Sequence, residues 1–573
     1  MTDTEAIPVP ATANQHGVQH MKWYGWGVEG ISFHHEDKPN LAPFIRKVID
    51  LDLNSAGQEP ISLDDLPIVD PRISTELLTR LSDALGTSYV TTDGLERIVH
   101  TYGKSLRDLV RIRGADIPRI PDVVVYPADE TEVASVVDAA MAADAVIIAF
   151  GGGSNISGSL HARPEESRPV ISLDLGRLNR LIDIDEESGL ARVQAGVLGP
   201  DLEAQLNPRG WTIGHFPDSF TYSTVGGWVA TRSSGMQSDK YGDIADITKG
   251  LRVVQGDGEQ SKLLVVRPLP STATGPSVRE MILGSEGRLG VITEVTVQVH
   301  RIAEERVILG YLFPGWSKGL AAMQAIAASD AAPIITRVSD ANETAFSFST
   351  SKKSRGVSKY VQKGLFAVLR KRGWTMDDAC LSFIGYEGGT DHVARTQKMV
   401  KEIVAKHGGI VLGKGPGVLY DQKKFDTPYI RDFLLDRGAA GDVSETAAPW
   451  SKIPTLYTNT IAAANRAFDQ IGVKGFIMCH LSHSYHSGAC LYFTFAFRHD
   501  HTDVLARYDV VKSAIQQSFL DNGGTLSHHH AVGTEHARWL SQDISPAGSD
   551  MIAGLIGAVD PRHNFNPGKI VAD

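Results

Sequence analysis

The chain has 573 residues, 42% of them hydrophobic, with 56 Lys and Arg against 67 Asp and Glu and a net charge of −11. That length exceeds what one hydrophobic core serves and implies at least two domains, while the acidic balance, without a long basic block, excludes a nucleic-acid partner, whose phosphates need clustered cations. The three cysteines, Cys380, Cys479 and Cys490, include no CxxC pair, so neither a disulfide framework nor a structural zinc site is expected.

No secretory leader, apolar run of roughly 18 residues or Ser-Lys-Leu type ending is read, so a cytoplasmic protein is expected. Residues 1–20 read as disordered and 21–115 as a helical region, with Trp23, Trp26 and the helical spacing of Leu77, Leu78, Leu81 and Leu85. The texture changes from Ile120. Val123 to Tyr126 reads as a strand, Thr131 opens a helix turning Val133, Val136, Val137 and Ala140 inward, and Ala145 to Phe150 reads as a second strand, giving a βαβ unit.

The second strand runs into Gly151-Gly152-Gly153-Ser154-Asn155 and then, with no helix between, to a strand at Val170 to Leu175. A Rossmann fingerprint needs a helix there and glycine where Ile156 stands, so that fold is disfavoured. Leu181 to Ile184 and Ala191 to Ala195 form a hairpin, followed by a short helix from Pro200 to Leu206. Residues 304–502 mix helices (Leu320 to Ala328, Ala394 to Ala405) with strands (Leu381 to Tyr386, Leu491 to Phe497). Gly408 to Lys414 has the frame of a P-loop, but Gly415 lacks the magnesium-binding hydroxyl. Residues 503–573 are mostly helical and carry Ser527-His528-His529-His530.

Small residues gather at 151–156, 217–227, 231–235 and 284–290. Amides and hydroxyls at this density suit a pyrophosphate, although any one segment serves equally as an ordinary turn. The Gly151-Gly152-Gly153-Ser154 loop, Ser223-Thr224-Val225-Gly226-Gly227, Gly284-Ser285-Glu286-Gly287-Arg288-Leu289-Gly290 and Asn566-Pro567-Gly568-Lys569 together resemble the vanillyl-alcohol oxidase type of flavoproteins. The resemblance implies an α+β fold with a PCMH-type FAD-binding domain at 116–303, an α+β cap or substrate domain at 304–502, and a C-terminal helical region at 503–573 closing on the flavin. It further implies FAD held without a covalent link by Phe150, Gly151, Gly152, Gly153, Ser154, Asn155, Ile156, Asp218, Ser219, Phe220, Thr221, Tyr222, Ser223, Thr224, Thr231, Arg232, Ser233, Ser234, Gly284, Ser285, Glu286, Gly287, Arg288, Leu289 and Gly290.

Four further stretches resemble the alkyldihydroxyacetonephosphate synthase family: Met21-Lys22-Trp23 with Gly25-Trp26-Gly27, Pro217-Asp218-Ser219-Phe220, Tyr429-Ile430-Arg431-Asp432, and Ser527 to His530. This implies a net non-redox exchange of the acyl chain of acyl-dihydroxyacetone phosphate for a long-chain fatty alcohol, through a flavin N5 adduct, in ether-lipid synthesis. Peripheral membrane contact and a homodimer accompany that expectation. Ala531-Val532-Gly533-Thr534 departs from the Gly-Val-Gly-Lys of the family's eukaryotic members. The alternative on the same fold is an FAD-linked oxidoreductase of a 2-hydroxy acid or alcohol.

The resemblance assigns Arg431 to the substrate phosphate, which a guanidinium holds with two parallel hydrogen bonds; the alternative is a salt bridge with Asp432 or Asp436. Arg337 is implied to orient substrate or steady charge on the flavin, and Tyr485 to transfer a proton. A phenol acts as a base only where positive charge, here from the histidines or Arg431, lowers its pKa. His528, His529 and His530 read as proton-handling or charge-stabilising residues. No metal is expected: on a strand, His480 and His486 face one side and His483 with Tyr485 the other, and at most two of three adjacent histidines meet one centre.

Overall fold

The computed structural model describes residues 14–351, 369–371, 373–423, 425 and 427–572. A first sheet holds β1 (Val90–Thr91), β2 (Val123–Val125), β3 (Val146–Phe150) and β4 (Val170–Asp174) in the order β1-β2-β4-β3. The helix between β2 and β3 is Glu130–Ala142; the Asp129 side chain caps it by accepting from the Glu132 N–H, and it buries Val133, Val136, Val137 and Ala140 as the periodicity predicts. The βαβ unit is split, because β4 pairs in parallel with both β2 and β3.

A second, antiparallel sheet runs β5 (Leu181–Asp185), β6 (Leu190–Gln194), β10, β8, β9, where β8 is Thr248–Gly256, β9 is Ser261–Val266 and β10 is Val291–Gln298. Between β6 and β8 in sequence lies β7 (Trp211–Thr212), which pairs with β11 (His300–Arg301). The first two sheets share one core, in which Val193, Val253 and Val295 pack with Trp228 of the helix Val225–Thr231.

The third sheet has seven strands: β12 (Glu305–Phe313), β13 (Ile335–Ser339), β14 (Cys380–Gly388), β15 (Ile410–Gly413), β16 (Ala439–Pro449), β17 (Gly475–Ser484) and β18 (Gly488–Arg498). Their order is β15-β12-β14-β13-β17-β18-β16, antiparallel throughout. Strand alternation divides its work. On β18, Phe493, Phe495 and Phe497 are fully buried in a core shared with the helices Trp316–Ala327, Thr390–Lys406, Ile453–Gln470 and Val504–Asp521. Tyr492, Thr494 and Ala496 between them line a cavity.

The segment after the helix Ser545–Val559 returns to β3, where the Asn566 N–H donates to Ile147 O at 2.9 Å and the Ile147 N–H to Asn564 O at 2.7 Å. The chain's end thus extends the first sheet beside the glycine loop.

Of the stretch expected to be disordered, residues 1–13 lie outside the described residues, but 14–20 are packed. Val18 is buried, and His20 Nε2 lies 2.7 Å from the buried Asp174. An apolar valine and the His20–Asp174 hydrogen bond hold this stretch against the first sheet, which polar composition did not reveal. Among the described residues no helix is long and apolar enough to cross a membrane.

Candidate active site

A cavity of about 360 Å3 lies between the first two sheets and the open face of the third. Its wall includes residues 150–156, Asp218, Ser219, Ser223, Thr224, Thr231, Ser233, Ser234, Glu286, Gly287 and Gly290 from the predicted cradle. The glycine run has a packing cause. A Cβ on Gly152 would stand 1.7 Å from Tyr222 O and one on Gly151 2.4 Å from Thr224 Oγ1, while Gly153 has φ +69°. Glycine therefore lets the loop lie against residues 222–224. No hydrogen-bond acceptor among the described residues serves the backbone N–H groups of 152–156. Five successive amides at a cavity wall, with Asn566 Oδ1 buried beside them and lacking a donor, fit the pyrophosphate and polar ring edge of FAD.

Several predicted cradle residues do not wall the cavity. Phe220 and Leu289 are core, and Tyr222 packs with Met21, Trp26 and Tyr429. Arg232 pairs with Glu280 at 3.1 Å, and Arg288 Nη1 donates to Asn566 O at 3.3 Å. Thr221, Gly284 and Ser285 also stand off the wall; Gly284, at φ +79°, packs against the Arg232 side chain. Ser159, Gly226, Gly227 and Asn566 wall it as well.

The histidine run sits on a loop without regular structure, held by two buried carboxylates. Glu445, on β16 and 1% exposed, accepts from Ser527 Oγ at 2.7 Å and from the backbone N–H groups of His528, His529 and His530 at 2.7, 3.0 and 3.0 Å. Glu286 accepts from the N–H groups of Val532 and Gly533 at 2.9 Å each and from Ser159 Oγ. Burial opposes ionisation of Glu445, but the neighbouring imidazoles and the His529 N–H outweigh it, holding its pKa well below the carboxylate range. Burial pushes His529 and His530 below the ordinary imidazole value, with Glu445 opposing it. Glu445 carries no motif. Its only sequence signal is an acid at an alternating position of a strand otherwise rich in small residues.

The three imidazoles differ in their partners. Tyr485 Oη donates to Asp243 Oδ2 at 3.0 Å and lies 2.5 Å from His528 Nε2, and His528 Nδ1 lies 2.9 Å from His529 Nδ1. With the phenol O–H donated to Asp243, His528 donates from Nε2 to the Tyr485 oxygen, and His529 donates from Nδ1 to His528. The chain runs in one direction and leaves His529 Nε2 as its basic atom. His529 and His530 wall the cavity, whereas His528 and Tyr485 stand behind them. Burial and the Asp243 carboxylate that accepts its hydrogen bond raise the Tyr485 pKa. The phenol is a proton donor in the resting state.

The expected alternation of His480, His483 and His486 fails. The β17–β18 ladder shifts register between Leu481 and His483, a bulge at Ser482, and both His480 and His483 reach the cavity while His486 is exposed. The Nε2–H of His483 donates to Gly235 O at 3.0 Å, and burial lowers its pKa to about 4.

Both arginines wall the cavity. Arg431, on the helix Thr427–Leu435, donates to Lys104 O at 2.5 Å from Nη1 and to Asp432 Oδ1 at 3.3 and 3.1 Å from Nε and Nη2. The Asp432 salt bridge is real, and it leaves two of the five guanidinium hydrogens for an anion. Asp432 also accepts from the Trp26 N–H at 2.5 Å, and Tyr222 Oη lies 3.3 Å from Tyr429 Oη. The segments around Trp26, Tyr222 and Arg431, far apart in sequence, are thus one cluster. Arg337, on β13, donates to Glu343 at 2.5 Å and approaches His480 Nδ1 at 3.2 Å. Burial would raise the Glu343 pKa, but His480 and Arg337 hold it down at about 2.

Comparisons with known proteins agree with this architecture. The FAD binding domain family matches residues 121–263, and the C-terminal domain family of FAD linked oxidases matches 302–570. An alkyldihydroxyacetonephosphate synthase of Dictyostelium discoideum is 36% identical, over 96% of this chain and 94% of its own. A solved alkyldihydroxyacetonephosphate synthase structure superposes with a TM-score of 0.84 at 33% identity, over 97% of this chain and all of the other. p-Cresol methylhydroxylase, solved with substrate bound, matches with a TM-score of 0.64 at 15% identity, over 88% of this chain and 99% of its own, a likeness of fold.

Replacing Glu445 by Ala leaves four donors of the histidine loop unsatisfied, at about 1–3 kcal/mol each where they stay buried. Urea denaturation is expected to show a loss of about 3 kcal/mol or more, with Glu445→Gln, which keeps an acceptor oxygen, losing less. His215, fully buried beside Ser233, has a pKa lowered from 6.5 to about 4 chiefly by burial. The unfolded chain takes up that proton first, so this site's stability is present above about 6.5 and is lost as pH falls toward 4. The stability difference between pH 7 and pH 5 is expected to shrink in His215→Phe, measured by denaturation at both values.

Proposed function

Because the chain belongs to the alkyldihydroxyacetonephosphate synthase family, we propose that it exchanges the acyl chain of an acyl-dihydroxyacetone phosphate for a long-chain alcohol, with FAD as its cofactor. The observation that carries this reading is the cavity's two-sided chemistry. One part is polar, with the free amides of 152–156, Arg337, Arg431, His529 and His530. Another part is apolar. Ile45, Val48 and Ile49 of the helix Leu41–Ile49 join Phe346, Ile430, Leu434, Phe476, Met478 and Ala496, and nearly all of these belong to one hydrophobic cluster. A phosphate head with a long chain needs both parts, whereas a small 2-hydroxy acid needs only the first.

FAD, when bound, supplies a ring that reversibly accepts an electron pair from the substrate carbon. The rest falls to the protein's own side chains. Arg431 offers its two remaining N–H groups to the substrate phosphate. His529, with Nε2 unprotonated, takes the carbon-bound proton, and the chain through His528 and Tyr485 to Asp243 keeps His529 in the basic tautomer and returns the proton. Arg337, held by Glu343, keeps its guanidinium on the cavity wall, where it would steady negative charge on a bound ring. The apolar walls exclude water, which would otherwise hydrolyse the substrate instead of admitting the alcohol.

Anaerobic incubation with palmitoyl-dihydroxyacetone phosphate and radiolabelled hexadecanol is expected to yield labelled alkyl product and free fatty acid without consuming an electron acceptor. Flavin that stays reduced on mixing with a hydroxy acid and passes electrons to a dye would instead establish the oxidoreductase. Tyr485→Phe is expected to lower turnover at least about 100-fold with FAD content unchanged, and Arg431→Ala to raise KM for the phosphate substrate. Unaltered kinetics in either removes that residue from its role. Ala496→Phe fills the apolar part and is expected to shift preference toward shorter alcohols, read from kcat/KM across a chain-length series.

A further inference from the structure

We infer that His483, Cys490, His528 and His529 form a site for a borderline-soft divalent cation, best matched by Zn2+, whose occupancy stops the histidine relay. Each side chain offers one ligating atom, and these atoms lie within 4.8 Å of one another. Three segments supply them. His483 comes from the bulge of β17, Cys490 from the position facing it on β18, and His528 and His529 from the carboxylate-held loop. Neighbours along one segment do not converge on one ion, but the tertiary fold assembles donors from several segments.

Hydrogen bonds on the far ring atoms decide which nitrogens are available. His483 carries its proton on Nε2, facing Gly235 O at 3.0 Å, which leaves Nδ1 with its lone pair. Nε2 of His528 is taken by Tyr485, leaving Nδ1, and His529 Nδ1 stands 2.9 Å from it. A carbonyl or hydroxyl on the far nitrogen is the arrangement that orients a metal-bound histidine. Cys490 is a free, fully buried thiol, with Sγ 3.9 Å from Glu445 Oε2. Three imidazoles and one thiolate make a tetrahedral set, whose ligand atoms stand roughly 3.3–3.8 Å apart around zinc. The present spread closes with about an ångström of side-chain movement and rotation of the Ser482 hydroxyl, now 2.8 Å from His483 Nδ1, away from that nitrogen.

His483 and His529 wall the cavity, so the ion has an entry path. On binding, the Cys490 thiol releases its proton to solvent and the Nδ1 proton of His529 moves to Nε2. The atom left basic by the relay is then protonated and the link to His528 is occupied by metal. Zinc is therefore a reversible inhibitor, and its binding can be measured without reference to the reaction the flavin site performs.

The test uses EDTA-treated holoenzyme. Equilibrium dialysis is expected to show one Zn2+ per chain, turnover to fall over the same concentration range, and EDTA to restore it. Co2+ is expected to give tetrahedral d–d absorption to the red of the flavin bands. Cys490→Ser, which alters no residue assigned to the reaction, is expected to keep metal-free turnover and to weaken zinc inhibition at least about tenfold. Inhibition of Cys490→Ser equal to the parent, or no stoichiometric zinc, would overturn the site. The cobalt spectrum of the unaltered protein decides the matter should the variant fail to fold, a missing tetrahedral band counting against it.

Discussion

The two buried carboxylates under the histidine loop are the constraint on which the site depends. Residues 527–533 form neither helix nor strand, so their backbone donors need acceptors from elsewhere. Glu445 takes those of His528, His529 and His530 and belongs to the seven-stranded sheet. Glu286 takes those of Val532 and Gly533 and belongs to the turn leading into β10. The loop is thus slung between the two halves of the molecule, each half contributing one acidic side chain. Glu445 is held well below the carboxylate range by the loop although it is buried, whereas burial pushes Glu286 up, and an ionised acceptor binds N–H groups more tightly than a neutral one. The imidazoles that carry the proton chemistry inherit their positions from this arrangement.

The same loop explains the spacing of its small residues. Gly533 has φ +53°, and a Cβ there would stand 1.9 Å from Ser157 O. Ala531 adopts φ +72°, a conformation glycine takes without strain, so alanine at this position costs about 1 kcal/mol. The flanking hydrogen bonds to Glu286 hold that backbone in place.

Strand and helix periods made much of the fold legible. The helix Glu130–Ala142 follows from apolar side chains at helical spacing, the hairpin β5–β6 from the turn at Glu186-Glu187-Ser188-Gly189, and strand β18 from alternation of apolar side chains. The insertion of β4 between β2 and β3 was not legible, because no local pattern encodes which strands become neighbours. The glycine loop was found because close backbone approach admits only glycine. Phe220 and Leu289 were placed with it because motif membership does not distinguish a residue facing the cavity from one packed behind it. Which group would face Tyr485, a histidine or Arg431, was open in the sequence, and the fold gives it His528 together with Asp243, since its partners come from segments more than 40 residues away. The bulge at Ser482 escaped detection because one extra residue reverses alternation without altering composition.

That bulge shows how closely folding and chemistry are joined here. Before Ser482, β17 sends Cys479 and Leu481 into the helix-covered core and Met478 and His480 into the cavity. With regular alternation His483 would follow Leu481 inward, placing an imidazole in an apolar layer with no acceptor for its N–H. The extra residue turns His483 outward, where Gly235 O accepts its proton, and carries Tyr485 toward Asp243 and His528. The core therefore keeps its apolar register while the strand's end gains two polar rings beside the histidine loop. On the neighbouring strand the three phenylalanines anchor every second residue, so Tyr492, Thr494 and Ala496 face the cavity from a backbone with little freedom to shift. A wall fixed by its own core on the opposite face can keep a proton chain and an apolar chamber side by side without either collapsing into the other.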